Sequence, residues 1–251
     1  MPSLSPSTQG SHASRTVLVT GGSGGIGREL CLAFARAGWW VGVHYFTQLT
    51  EAEETLSLVS TLGGQGALYH ADIRSSPDVQ ATVEAIERRR GRLDALICNA
   101  GAAGGQLVVT CPEEEWLRII ETNLTGTYHC MKAAANSMLG HGGGSIVLIG
   151  SYAGLQGMSG QGAYAASKAG LTGLMKTAAR EWGPHNIRVN LVCPGWQQTG
   201  MAGDSFPSAQ RLRGHVLERT SNLDDVAGTI CQLAQLSDVS GQIWNLDSRI
   251  L

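Results

Sequence analysis

A serine, a tyrosine and a lysine in the middle of the chain have the types and spacing that proton transfer requires. Ser151 follows an aliphatic, β-branched segment at 146–149, and Tyr164 and Lys168 lie four residues apart in a segment rich in Ala, Leu and Met. Residues four apart on a helix share a face, so Tyr164 and Lys168 should point the same way. A neighbouring ammonium lowers the pKa of a phenol, which makes Tyr164 a usable proton donor, and the Ser151 hydroxyl can hold a substrate oxygen. A tyrosine and lysine on a solvated helix surface are the alternative.

Alternating strand-like and helix-like segments would position these residues. The segment before Ser151 should be a buried strand, which places Ser151 at a carboxyl end, where open α/β sheets bind ligands. The strand-like segments lie near 16–20, 40–45, 67–70, 93–98, 145–150, 187–193 and 242–246, and the helix-like segments near 25–37, 50–62, 76–90, 113–139, 162–182 and 223–235. This alternation predicts an α/β fold with a parallel sheet and helices on both faces.

A glycine-rich loop between the first strand and the first helix is the second chemical signal. Glycines let the backbone turn tightly and approach a pyrophosphate, and the helix N-terminus offers free N–H groups to the phosphates. The loop is therefore predicted to bind a dinucleotide. Its spacing fits both G-x-G-x-x-G and G-x-x-x-G-x-G, so the spacing leaves the family open. The glycines concerned are Gly21, Gly22, Gly24, Gly25 and Gly27.

Motifs over residues 15–247 together resemble those of the short-chain dehydrogenase/reductase family, most closely its 3-oxoacyl-acyl-carrier-protein reductases and related carbonyl reductases. The resemblance implies a single Rossmann-type domain, doubly wound, with a parallel sheet of about seven strands. It also implies hydride transfer between a nicotinamide cofactor and a carbonyl or secondary alcohol. The matching elements are residues 20–27 (T-G-x-x-x-G-x-G), Asp72, Asn99-Ala100-Gly101 (N-A-G), Asn123, the set Ser151, Tyr164 and Lys168, and Pro194-Gly195 with Thr199.

The resemblance also implies a role for each matching residue. Tyr164 would protonate the carbonyl oxygen, Ser151 would position that oxygen, and Lys168 would lower the pKa of Tyr164 and bind the nicotinamide ribose. Asn123 would hold a water that links Lys168 to solvent, with an amide that satisfies a helix cap or kink as the alternative. The residues expected to bind the cofactor are Gly21, Ser23, Gly25, Ile26, Gly27, Tyr45, Asp72, Ile73, Asn99, Ala100, Gly101, Tyr164, Lys168, Pro194, Gly195 and Thr199.

The end of the second predicted strand bears on which nicotinamide cofactor is used. Tyr45 stands where NAD enzymes of this fold place an acidic residue that binds the ribose 2′-hydroxyl. Without that carboxylate a 2′-phosphate is not repelled, which favours NADP(H). NAD(H) stays open, because residues 39–50 contain no Arg or Lys and Gly24 stands where many NADP-dependent relatives place Arg.

The substrate is less sharply defined by the sequence. A 3-oxoacyl thioester is expected from the resemblance, and a free ketone, sugar or steroid-like alcohol is the alternative. Relatives that use an acyl carrier protein commonly carry basic residues before the fifth and sixth strands, where this chain has His141 and His185, so that partner stays open. A non-catalytic nucleotide-binding scaffold on the same fold is the other alternative, which the intact catalytic set argues against.

Composition is typical of a cytoplasmic enzyme. A net charge of −2 over 251 residues argues against nucleic acid or an anionic membrane as the main partner, and no apolar run approaches a membrane span. The six cysteines form no C-x-x-C pair and no cluster with His at metal-ligand spacing, so we expect reduced thiols and no metal. Residues 1–14 are predicted to be a disordered tail, followed by one domain over 15–251 with a substrate lid near 196–222.

Two long helical segments, 113–139 and 162–182, carry more apolar positions than one buried face needs. The family pairs its subunits through these helices, and closed symmetric oligomers are the usual outcome. A homotetramer is therefore expected, with a homodimer as the alternative.

Overall fold

A single parallel sheet forms the centre of the molecule in the computed structural model, which describes residues 14–199 and 212–250. Its strands are β1 (Thr16–Val19), β2 (Trp40–Tyr45), β3 (Gln65–His70), β4 (Ala95–Cys98), β5 (Gly144–Ile149), β6 (Ile187–Cys193) and β7 (Ile243–Asn245). Their order is β3-β2-β1-β4-β5-β6-β7, and all six neighbouring pairs are parallel. The predicted doubly wound α/β fold is confirmed. The direction of winding reverses between β1 and β4, and ligands bind outside the carboxyl ends of strands at such a point.

Helices connect successive strands and cover both faces of the sheet. In the described residues they are α1 (Gly25–Arg36), α2 (Leu49–Thr61), α3 (Ser76–Arg90), α4 (Glu113–Ile120), α5 (Gly126–Gly140), α6 (Tyr152–Gln156), α7 (Gly162–Trp182) and α8 (Leu223–Leu233). The predicted helix 113–139 is interrupted by a π-helical turn, Glu121–Thr125, between α4 and α5. The short helix α6 was not predicted.

The core consists of two hydrophobic clusters, one on each face of the sheet. Side chains alternate between the faces along a strand, so Val17 and Val19 of β1 pack with α1 and α8, whereas Leu18 packs with α3, α5 and α7. None of the helices within 14–199 and 212–250 has the length and hydropathy needed to cross a membrane.

Two predicted regions fall partly outside the described residues. The predicted tail, 1–14, is described only at Ser14, and the central part of the predicted lid, 200–211, is not described. The returning part of the lid region, 212–222, contacts the end of the chain through backbone hydrogen bonds such as that from Val216 N to Ser248 O, 3.0 Å long.

Candidate active site

The predicted catalytic residues meet at the carboxyl end of β5. Ser151 caps α6, where its Oγ accepts a hydrogen bond from Ala153 N at 3.2 Å. Tyr164 and Lys168 lie one turn apart on α7, and the Lys168 Nζ is 5.8 Å from the centre of the Tyr164 ring. Lys168 Nζ donates a hydrogen bond to the Ile149 carbonyl at 2.7 Å, which anchors α7 to the last residue of β5. The fold therefore brings the Ser151 hydroxyl, the Tyr164 phenol and the Lys168 ammonium into one group, as the sequence spacing predicts.

The protonation of Tyr164 differs from the sequence prediction. Burial raises the pKa of the Tyr164 phenol, and hydrogen bonding with Ser151 lowers it by a smaller amount. The expected lowering of this pKa by Lys168 is not found, because the ammonium is directed to the Ile149 carbonyl rather than to the phenol oxygen. The phenol is thus held in its neutral form, which is the form that donates a proton.

Lys168 is buried and has hydrogen-bonding capacity to spare. Burial lowers the pKa of its ammonium to about 8, so it carries a charge at neutral pH. Of its three N–H donors, only one has a partner among the described residues, the Ile149 carbonyl. The other two could bind the hydroxyls of a ribose.

Asn123 lies in the π-helical turn behind Lys168 and is fully buried. Its Oδ1 accepts from Ala102 N at 2.7 Å, and its Nδ2 donates to Ala102 O at 2.9 Å and to Ser167 Oγ at 3.0 Å. A Cβ added to Gly101 would lie 3.1 Å from Asn123 Oδ1 and 3.8 Å from Lys168 Nζ. The amide therefore braces the loop after β4 against α7, as in the alternative interpretation, and its predicted water-holding role stays a prediction.

The glycine loop after β1 has a shape that fits a pyrophosphate. Gly21 and Gly25 have φ of +63° and +55°, a region that favours glycine. A Cβ on Gly27 would lie 1.9 Å from Gly21 O, so only glycine allows this close packing. Gly24, at the N-cap of α1, has no side chain to cap the helix, and apart from its chain neighbours no described atom lies within 4 Å of its Cβ position. The first N–H groups of α1 are thus open to an anionic ligand.

The N-A-G segment after β4 holds the glycine loop in place. Asn99 Nδ2 donates to Thr20 O and to Gly21 O, each at 3.0 Å. The Thr20 Oγ1 in turn accepts from the backbone N–H groups of Asn99 and Ala100, at 2.9 and 3.0 Å. A Cβ on Gly21 would lie 2.9 Å from Ala100 Cα, so the two loops are in direct contact.

His44 is a residue of the site that the sequence analysis missed. Its Nδ1 accepts a hydrogen bond from Gly21 N at 3.0 Å, and its Nε2 lies 3.1 Å from the Ala71 carbonyl. Since the carbonyl can only accept, Nε2 carries the proton and Nδ1 is free to accept. Burial lowers the pKa of His44 to about 4, so the ring is neutral at pH 7 and ties the glycine loop to the loop after β3. The sequence did contain one signal that could have identified His44, namely its position at the end of β2, one residue before Tyr45.

The end of β2 lies beside a second group of residues that includes an unforeseen arginine. The rings of Tyr45 and Phe46 lie 5.3 and 6.0 Å from the His70 ring. The Arg74 guanidinium lies 5.8 Å from the Phe46 ring and pairs with the Asp72 carboxylate at 2.5 Å. Hydrogen bonding with Arg74 lowers the pKa of Asp72. The predicted adenine-binding carboxylate is therefore already engaged by a cation.

Ile73, also predicted to bind the cofactor, has its side chain in the core. It belongs to the cluster on the α5 side of the sheet, and a Cβ on Gly126 would lie 2.8 Å from it. Only the backbone of Ile73 is left for a cofactor, and its carbonyl already lies 3.2 Å from His129 Nδ1. Ile26 is partly buried and packs against the opposite cluster.

A second unforeseen arginine joins the glycine loop to α2. Arg28 Nη2 donates to Ser23 O at 3.3 Å and to Glu51 O at 3.2 Å, and it pairs with Glu54 at 2.9 Å. The Ser23 hydroxyl donates to Gln48 Oε1 at 3.1 Å, at the N-cap of α2. Although residues 39–50 contain no Arg or Lys, Arg28 places a guanidinium next to this region.

The segment after β6 closes onto the glycine loop. Gly195 follows Pro194 with φ of +75°, and a Cβ there would lie 2.6 Å from Asp247 Cβ. A Cβ on Gly25 would lie 3.1 Å from Thr199 Cβ, so the predicted nicotinamide segment and pyrophosphate loop are neighbours. No group of three or more metal-ligating side chains occurs within the described ranges.

Proteins of known sequence resemble this chain over most of its length. A family model described as short chain dehydrogenase matches residues 15–210. A 3-oxoacyl-(acyl-carrier-protein) reductase of Synechocystis sp. is 34% identical over 236 residues, covering 93% of this chain and 95% of that protein. A protein of the same name from Staphylococcus aureus is 34% identical over 223 residues, covering 88% and 90%.

Solved structures also resemble this fold over most of the chain. A putative short-chain alcohol dehydrogenase from Sinorhizobium meliloti superposes with a TM-score of 0.89 at 31% identity, covering 94% of this chain and 96% of that one. A variant of actinorhodin polyketide ketoreductase, crystallised with NADPH, superposes with a TM-score of 0.87 at 31% identity and the same coverage.

Proposed function

The chain belongs to the short-chain dehydrogenase family of NAD(P)-dependent oxidoreductases, and we propose that it reduces the 3-oxo group of an acyl thioester with NADPH. The observation that carries the proposal is the meeting of Ser151, Tyr164 and Lys168 at the end of β5, on the same edge of the sheet as the glycine loop. The thioester is supported by the names of the bacterial relatives, 3-oxoacyl-(acyl-carrier-protein) reductases. A free ketone, sugar or steroid-like alcohol is the alternative substrate.

Each catalytic side chain has a task that its environment supports. Bound NADPH supplies the hydride that reduces the carbonyl carbon. The neutral Tyr164 phenol gives its proton to the carbonyl oxygen, and the Ser151 hydroxyl orients that oxygen. Lys168 uses its two spare donors to bind the ribose hydroxyls. Asn123 positions Lys168 and α7, and a water at this turn would return the proton to Tyr164.

We infer that the cofactor lies across the switch point between β1 and β4. Ser23, Ile26 and the open N-terminus of α1 would hold the pyrophosphate, and Pro194 and Thr199 would hold the nicotinamide. The other residues proposed to contact the cofactor are Gly21, Gly25, Gly27, Tyr45, Asp72, the Ile73 backbone, Asn99, Ala100, Gly101 and Gly195, together with Tyr164 and Lys168.

NADP(H) is favoured over NAD(H) for three reasons. Tyr45 leaves the end of β2 without the carboxylate that would repel a 2′-phosphate. Arg28 and Arg74 bring two guanidinium groups to this region, although each is paired with a carboxylate. The structural neighbour crystallised with NADPH supports the same choice.

The proposed assembly is a homotetramer, with a homodimer as the alternative. Large apolar side chains are exposed on the turn before α4 and on α4 and α5. Val108 and Val109 are 80% and 88% exposed, and Trp116, Leu117 and Tyr128 also reach the surface. Exposed large apolar side chains close together in the sequence support an interface between subunits here. Light scattering at micromolar concentration should give four times the mass of one chain, and a mass of one chain would contradict the proposal.

The function is tested by comparing Tyr164→Phe with the wild type on a 3-oxoacyl-CoA thioester, the same acyl group on carrier protein, and a free ketone. The wild type should reduce a thioester with NADPH, and Tyr164→Phe should lower kcat by about 10²–10⁴-fold because it removes the transferred proton. The Kd for NADPH should change little. Tyr69→Phe, which removes a phenol hydroxyl from β3, is the matched control. More than a tenth of wild-type turnover in Tyr164→Phe would refute the assignment.

A further inference from the structure

The last described residues of the chain form a buried ion pair next to the active site. Arg249 Nε donates to Asp247 Oδ2 at 2.7 Å, Arg249 Nη2 makes a second contact to the same oxygen, and Arg249 N donates to Asp247 Oδ1 at 2.8 Å. The Asp247 side chain is fully buried and that of Arg249 is 11% exposed. This two-point geometry fixes the plane of the guanidinium.

The guanidinium lies over the ring of Tyr152, the residue that follows Ser151. The Arg249 Cζ is 4.0 Å from the centre of the Tyr152 ring, well within the range of a cation–π contact. Tyr152 is the first residue of the five-residue helix α6, and Ser151 is its N-cap. A change in the position of Tyr152 therefore acts directly on the backbone that carries the Ser151 hydroxyl.

The carboxylate of the same pair lies against the turn after β6. A Cβ on Gly195 would lie 2.6 Å from Asp247 Cβ and 2.9 Å from Asp247 Oδ2, so the carboxylate packs onto the Gly195 backbone. Asn245 Nδ2 holds the other side of the cluster, donating to Arg249 O at 2.8 Å and to Asp247 Oδ1 at 3.3 Å. The ion pair thus joins the end of β7 to the two segments that flank the reacting groups.

The end of the chain also contacts residues 212–222, the C-terminal part of the predicted lid. Leu217 N donates to Ser248 Oγ at 3.2 Å, and Ser221 Oγ donates to Leu246 O at 2.6 Å. Residues 246–249 are therefore fixed from both sides, by the lid region and by the strand ends, which makes them a rigid support.

We propose that Arg249 and Asp247 are positioning residues for the reaction. Arg249 acts on Ser151 through the Tyr152 ring, and Asp247 acts on the nicotinamide segment through Gly195. The inference rests on the proposed function of the site. Its physical basis is that a misplacement of about 1 Å in a reacting group costs about 10²-fold in rate, and Ser151 directly precedes Tyr152 at the N-cap of α6.

The test compares variants that keep or remove the aromatic face and the guanidinium. Tyr152→Leu and Arg249→Met should each lower kcat by about 10- to 100-fold, with less than about threefold change in the KM for the thioester. Tyr152→Phe should restore most of the turnover lost in Tyr152→Leu, because the contact uses the ring and not the hydroxyl. The double variant Tyr152→Leu/Arg249→Met should lose little more than the worse single variant, since both remove one interaction. Asp247→Asn should mainly raise the Kd for NADPH.

Arg36→Met is the matched control, because it breaks an exposed arginine–aspartate pair, with Asp224, between α1 and α8. It should leave kcat unchanged. The inference is overturned if Arg249→Met keeps kcat within about twofold, if Tyr152→Phe loses as much as Tyr152→Leu, or if KM and kcat change together in every variant.

Hydrogen exchange gives a readout that does not depend on turnover. In Arg249→Lys, which keeps the charge and loses the planar fork, the amides of 150–156 and 194–198 should exchange faster than in the wild type, whereas those of α3 should not change. Unchanged exchange at both segments would overturn the inference. An inactive wild type, or an active Tyr164→Phe, would refute the proposed function, and the exchange experiment would still decide the positioning role.

Discussion

Replacement of His44 by leucine should destabilise the protein, because this ring satisfies two buried backbone groups at once. Nδ1 accepts from Gly21 N at 3.0 Å and Nε2 donates to Ala71 O at 3.1 Å, with the side chain only 3% exposed. Leucine is similar in size but leaves both groups without a partner. Each unsatisfied buried group costs about 1–3 kcal/mol, so His44→Leu should lower the free energy of unfolding by about 2–6 kcal/mol.

The pH dependence of stability provides a second, independent signature of His44. Burial lowers the pKa of His44 in the folded state to about 4, against about 6.5 in the unfolded chain. Between these values the unfolded chain binds more protons, so stability is present above about pH 6.5 and is lost as the pH falls towards about 4. A pKa difference of about 2.5 corresponds to about 3 kcal/mol at most, of which roughly 2 kcal/mol is lost between pH 7 and pH 5.

Urea unfolding at pH 7 and pH 5 measures both effects of His44→Leu. The leucine variant should be less stable at pH 7 and should lose less stability than the wild type on going to pH 5. His44→Asn, which can still accept and donate, should recover part of the loss, and His185→Leu, at an exposed position, is the control. Equal stability of His44→Leu and wild type at pH 7, or an identical drop at pH 5, would refute the role of His44.

Two further predictions concern the cofactor site. Tyr45→Asp should move the ratio of kcat/KM for NADPH and NADH towards NADH by about 5- to 150-fold, corresponding to about 1–3 kcal/mol, because a carboxylate repels the 2′-phosphate and accepts from a ribose diol. An unchanged ratio would show that other groups recognise this position. Lys168→Met should raise the free energy of unfolding without cofactor by about 1–3 kcal/mol, since burial lowers the pKa of this ammonium to about 8, while abolishing turnover. A lower free energy of unfolding for Lys168→Met than for the wild type, measured in urea, would contradict this prediction.

The fold was largely predictable because most strands are apolar and buried on both faces. β5 and β6 are buried along nearly their whole length, and their predicted bounds are close to the observed ones. The prediction was less accurate at β3, which begins at Gln65 rather than near 67. This edge strand is only partly buried, so its sequence lacks a continuous apolar run. The interruption of the predicted helix 113–139 includes Asn123, whose contacts with Ala102 and Ser167 join residues far apart in the sequence, so local periodicity does not predict it.

The meeting of Ser151, Tyr164 and Lys168 was predictable because their spacing is local to one helix and one strand end. His44, Arg28 and Arg74 were missed because their roles come from partners far along the chain or on another element, such as Gly21 for His44. The prediction that Lys168 lowers the pKa of Tyr164 was wrong. The spacing places both side chains on one helix face, but it does not specify which group the Lys168 ammonium contacts. The Ile149 carbonyl captures the ammonium, and burial dominates the pKa of the phenol.

Two buried basic side chains near the switch point, His44 and Lys168, differ in how fully their hydrogen-bonding groups are satisfied. This difference distinguishes a residue that supports the fold from one that is proposed to act in the reaction. His44 has a partner for each ring nitrogen and is neutral at pH 7, so its burial costs little. Lys168 is also buried and is charged at neutral pH, yet among described residues it makes one hydrogen bond. A buried charge with unused donors is unfavourable in the absence of a ligand. The fold therefore holds Lys168 at a cost that ribose hydroxyls would offset, which is the arrangement expected of a group that acts only when the cofactor is bound.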